Sequence, residues 1–104
     1  MLTFAKRRLL ADNSDIAGFA AAVEETGRTP TRALILGAGG AARGVAIALS
    51  RRLGVKSVVI ANRTRARADE VARLIDAETV DWAARERALA GADLLVNTTS
   101  LSMT

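Results

Sequence analysis

The run Ala33-Leu34-Ile35-Leu36 passes directly into Gly37-Ala38-Gly39-Gly40-Ala41-Ala42, after which apolar residues recur at Ala42, Val45, Ala46, Leu49 and Leu53. A short β-type run, a glycine cluster and a helical period in that order require a strand that turns sharply into a helix. The alternation then continues. Val58-Val59-Ile60 reads as a second strand, and Ala68, Val71, Ala72 and Ile75 share one helical face. Thr79-Val80 is a short strand candidate, Trp82 to Ala90 a helix, and Asp93 to Asn97 a further strand. Helical segments of about ten to fourteen residues between strands imply right-handed crossovers, so the pattern predicts an α/β domain with a doubly wound parallel sheet of about four strands.

Upstream, Ile16, Phe19, Ala20 and Val23 lie on one face of a helix expected over Ile16 to Thr26, with Gly27 as its stop. Asp12-Asn13-Ser14-Asp15 before it is rich in N-capping residues, and Arg28-Thr29-Pro30-Thr31 after it has the character of a connection. A chain of 104 residues can bury one modest core, not a cofactor domain and a separate substrate domain.

The absence of cysteine and histidine excludes disulfides, thiolate catalysis, Cys-type zinc sites and a Ser-His-Asp triad. No apolar run is long enough for a membrane span or a signal peptide, which makes a cytoplasmic setting without a membrane partner the default expectation. The net charge is +4, and thirteen of the fifteen basic residues are arginine, a composition suited to phosphate-bearing partners. Only three aromatic residues are present, so base stacking is poorly served and no nucleic-acid partner is expected.

Gly37 to Ala42 fits G-x-G-x-x-A after a strand and at the opening of a helix, the context of a dinucleotide-binding turn. Gly37 would permit the tight turn, Gly39 would let the backbone approach a pyrophosphate, and Ala42 would let the helix pack closely on its strand. The free N–H groups of the first helical turn would face the anion. An ordinary tight turn is the alternative reading. After the second strand, Val58 to Ala61, comes Asn62-Arg63-Thr64-Arg65-Ala66-Arg67, where an NAD-binding domain usually carries an acidic residue for the ribose. With Thr64 as N-cap, Arg65 and Arg67 fall in the first helical turn, where the macrodipole disfavours cations. A 2′-phosphate held by arginine would compensate them and favours NADP over NAD; a solvated arginine face is the alternative.

Four motifs in this order, Asp12 to Phe19, Leu36 to Arg43, Ala61-Asn62-Arg63-Thr64 and Asp93 to Ser100, make the chain resemble the shikimate dehydrogenase family. The resemblance spans nearly the whole chain. It implies NADPH-dependent reduction of 3-dehydroshikimate to shikimate and a Rossmann-like cofactor domain. It further implies that residues 1–15 end a substrate-binding domain, 16–31 form a connecting helix and linker, and 32–104 form an incomplete NADP-binding domain. By the same resemblance Gly37, Ala38, Gly39, Gly40 and Ala41 form the phosphate loop. Asn62, Arg63, Thr64 and Arg67 take the 2′-phosphate, and Thr99 lies by the nicotinamide-side ribose.

Asp15 matches the aspartate that binds a substrate hydroxyl and pairs with a catalytic lysine; spacing alone would make it an N-cap. Ser14 stands where the family has threonine, Ala11 where it commonly has glycine, and Ser102 where it has glycine. Neither Lys6 nor Lys56 matches the lysine motif, so the chain reads as an internal piece of the enzyme, without turnover of its own. A quinate or shikimate dehydrogenase and a non-catalytic NADP-binding module are the other readings. Trp82 and Phe19 are expected in the core, and exposed apolar edges imply either marginal stability or association with another chain, a homo-oligomer being one form of it.

Overall fold

A computed structural model describes residues 8–10 and 16–99 of the chain. Five strands form one parallel sheet: β1 (Arg8–Leu10), β2 (Arg32–Leu36), β3 (Ser57–Asn62), β4 (Glu78–Asp81) and β5 (Leu94–Asn97), in the spatial order β1-β5-β2-β3-β4. Four of these are the expected strands, lengthened or trimmed by a residue or two. β1 falls within residues 1–15, the segment expected to end the substrate-binding domain, and here it pairs with β5 from Arg8↔Leu95 to Leu10↔Asn97.

The helices are α1 (Ile16–Glu25), α2 (Gly40–Ile47), α3 (Arg65–Ile75) and α4 (Arg85–Ala90). Alternation along the strands divides the apolar residues between two faces. Ala33, Ile35, Val58, Ile60, Leu94 and Val96 face α1, α2 and α3, meeting Phe19, Val23, Val45, Leu49, Ala68 and Val71 in the main core. Leu34, Val59, Ala61 and Leu95 form a smaller core on the other face with Trp82, Ala88 and Leu89. Phe19 is thus in the core as expected, whereas Trp82 is only half-buried.

Two helices differ from their expected form. The first crossover helix changes after Ile47 to a π-helical turn, Ala48–Arg52, with the Leu53 N–H donating to the Ala48 carbonyl at 2.9 Å. The segment from Trp82 opens with a 3₁₀ turn, Trp82–Ala84, before α4 begins.

From β2 the chain winds through α2, β3, α3 and β4 toward one edge, then returns to place β5 on the opposite side of β2. The reversal leaves a crevice between the carboxyl ends of β2 and β5, where open α/β sheets bind ligands.

Candidate cofactor-binding site

Gly37 follows β2 with φ +113°, and its N–H donates to the Ala61 carbonyl of β3 at 2.9 Å. A Cβ on Gly37 would lie 2.1 Å from Thr98 Oγ1. Thr98 is itself buried, its hydroxyl and its N–H both donating to the Leu36 carbonyl at 2.7 and 2.9 Å. The residue after β5 therefore fits into the space a side chain at Gly37 would fill. The requirement for glycine is conformational and steric at once.

Gly39 and Gly40 are exposed, with no atom within 4 Å of a Cβ placed on either. Gly39 is the N-cap of α2 in extended conformation, and the first turn of α2 holds no acidic residue. Ala41 and Ala42 are buried beneath them, Ala42 completely. Open backbone above and methyl-sized packing below is the arrangement that lets an anion reach the N–H groups of a helix start. The side chains present fit a dinucleotide pyrophosphate there.

At the next strand, Leu36↔Ala61 closes the β2–β3 register, so Asn62, the last residue of β3, follows directly beside Gly37. Asn62 Nδ2 donates to the Thr64 carbonyl at 3.0 Å and shapes the turn into α3. Thr64 is the N-cap by backbone conformation but makes no capping hydrogen bond through its side chain. Arg63, Thr64 and Arg67 are exposed.

Arg65, the other cation of that first turn, is committed elsewhere. Its Nε donates to Thr79 Oγ1 at 3.0 Å, its Nη1 pairs with Asp81, and its Nε lies 3.5 Å from Asp69. The Asp81 hydrogen bond, with the charge of Asp81 and Asp69 behind it, raises the Arg65 pKa further above its ordinary value. The macrodipole cost expected from Arg65 is offset within the protein by carboxylates.

Thr99 sits on the other side of the crevice. Its N–H and hydroxyl donate to Asn97 Oδ1 at 2.9 and 2.6 Å, and its Cγ2 lies 3.5 Å from a Cβ placed on Gly37. The structure thus gathers Gly37 to Ala41, Asn62, Arg63, Thr64 and Thr99 at the carboxyl end of the sheet, with Arg67 in the adjoining first turn of α3. Asp15 and Ser100 to Thr104 lie outside the described residues. Thr98 and Asn97 are contributors the sequence reading did not single out. Trp82, assigned to the core, carries Arg63 and Arg85 against its ring, with guanidinium carbons 5.4 and 4.4 Å from the centroid.

The chain resembles known proteins in sequence and in fold. The family described as shikimate / quinate 5-dehydrogenase matches residues 21–103. A protein named shikimate dehydrogenase (NADP(+)) from Maricaulis maris is 47% identical over 99% of the chain, which spans 38% of that relative. A shikimate 5-dehydrogenase from Thermus thermophilus, in complex with NADP(H) and shikimate, superposes with TM-score 0.63 at 40% identity, over 84% of this chain and 31% of its own. A quinate dehydrogenase from Corynebacterium glutamicum, in complex with NAD, gives TM-score 0.71 at 31% identity, over 84% of this chain and 34% of its own. The chain therefore spans between three and four tenths of the length of these relatives and, by sequence and by fold, belongs to the shikimate / quinate 5-dehydrogenase family.

Proposed function

We propose that the chain is the NADP-binding part of a shikimate dehydrogenase that reduces 3-dehydroshikimate to shikimate with NADPH. The observation that carries this reading is the union of an open glycine turn at the start of α2 with Asn62-Arg63-Thr64 at the end of β3. No carboxylate occupies residues 61–67, where NAD-type ribose recognition would need one. Gly39, Gly40 and Ala41 would take the pyrophosphate on their N–H groups; Arg63 and Arg67, with Asn62 and Thr64, would take the 2′-phosphate. Thr99 would flank the ribose on the nicotinamide side. When bound, the cofactor supplies the hydride, while these residues fix its position and charge.

In the same reading, residues 1–15 close a substrate domain of the longer protein, although Arg8–Leu10 pairs with β5 in this chain, 16–31 connect the domains, and 32–104 belong to the cofactor domain. Asp15 then binds a substrate hydroxyl. The partner is a small polyhydroxy acid, the setting is cytoplasmic, and copies associate through their sheet edges. The quinate dehydrogenase neighbour keeps a quinate substrate as the second reading.

The test is titration with NADPH and with NADH in the wild type and in Arg63→Ala. NADPH should bind at least about tenfold more tightly, in keeping with charge-assisted phosphate contacts, and the substitution should remove most of the difference. Equal affinity in the wild type would defeat the reading.

A further inference from the structure

Trp82 follows β4, and its half-buried side chain packs against the small core of Leu34, Val59, Ala61 and Leu95. Two guanidinium groups lie against that single ring, Arg85 at 4.4 Å and Arg63 at 5.4 Å. Arg85 is anchored further, donating from Nη1 to the Trp82 carbonyl at 2.8 Å. Among the described residues neither Arg63 nor Arg85 pairs with a carboxylate, whereas Arg32, Arg43, Arg52 and Arg65 each do. Two like charges at one ring repel each other, and an anion held near both would relieve that repulsion. Asn62↔Asp81 closes the β3–β4 register, which sets Trp82 beside Arg63 at the same end of the sheet as the glycine turn.

We propose that Trp82 is a positioning residue that holds the Arg63 guanidinium, and that Arg85 is a second cation for the phosphomonoester that Arg63 recognises. The proposal deepens the NADP reading above and rests on it. It adds the segment after β4 to a site otherwise built from β2, β3 and β5.

The experiment is calorimetric titration of the chain with adenosine 2′,5′-bisphosphate and with adenosine 5′-monophosphate, in wild type, Trp82→Leu, Trp82→Phe, Arg85→Ala and Arg63→Ala. Trp82→Leu and Arg85→Ala should each weaken bisphosphate binding about threefold to tenfold, leaving the monophosphate within about twofold, and Trp82→Phe should recover most of the loss. Trp82 is the only tryptophan, so its emission should respond to the bisphosphate and not to the monophosphate, and Arg63→Ala should abolish the response. Should Trp82→Leu fail to fold, the emission response and Arg85→Ala decide the matter. An Arg63-dependent bisphosphate preference unmoved by Arg85→Ala, with silent emission, overturns the proposal and leaves the cofactor reading intact. A wild type that binds both nucleotides alike overturns both.

Discussion

Gly37 joins two parts of the candidate site that are 61 residues apart in sequence, because its missing side chain is the space Thr98 occupies. Gly37→Ala would add a Cβ at positive φ against a hydroxyl that is itself fixed to Leu36. Urea denaturation should register a loss of about 2 to 4 kcal/mol; an unchanged midpoint would mean that the turn relaxes freely. The glycine pattern was legible in the sequence because the turn demands it locally. Its dependence on Thr98 was not, since that follows only from where β5 returns. The arginines make the same distinction. Arg63 and Arg65 look alike in sequence, yet Arg65 is tied to Thr79, Asp69 and Asp81. Arg65→Ala should lower the thermal midpoint slightly, less so at high salt, and leave the NADPH to NADH preference in place, the reverse of Arg63→Ala. A raised folded-state pKa contributes stability that is fully present below the unfolded value and is lost only as pH rises through the folded one. The Arg65 contribution should therefore be flat across the neutral range.

The elements are held in register by side chains at their ends. Asp93, just before β5, accepts from the N–H groups of Thr31 and Arg32 at 2.9 Å each, fastening the start of β2 to the start of β5. Asp93→Ala leaves two strand-end donors without that carboxylate, and denaturation should show a loss of about 1 to 3 kcal/mol. α3 ends at Asp76 with φ +58°, a left-handed cap that glycine adopts at lower cost, so Asp76→Gly should stabilise the chain by about 0.5 to 1 kcal/mol in the same measurement. Strands and long helices were legible because their periods follow directly from which face is buried. The π-helical turn of Ala48–Arg52 and the 3₁₀ opening at Trp82 were not, because both depend on how a helix end meets its neighbours. For the same reason Trp82 read as core: its apolar ring does face one, and only the folded chain brings Arg63 to it.

At the scale of the molecule, one parallel sheet with helices on both faces places every strand's carboxyl end on one side, and the return of β5 past β2 opens the crevice there. This much follows from alternating pattern and crossover handedness, which is why the fold class is legible in the sequence. The pairing of β1 with β5 is not, since it is set by an available edge rather than by the three residues themselves. Family membership and geometry meet at that crevice, and the most direct test of the account is to ask which backbone amides sense the cofactor. Amide chemical shifts of the ¹⁵N-labelled chain titrated with NADP⁺ should move most at residues 37–41, 62–64 and 98–99. Changes centred instead on Thr31, Ser57 and Asp93 at the opposite end of the strands, or none at millimolar nucleotide, would contradict it.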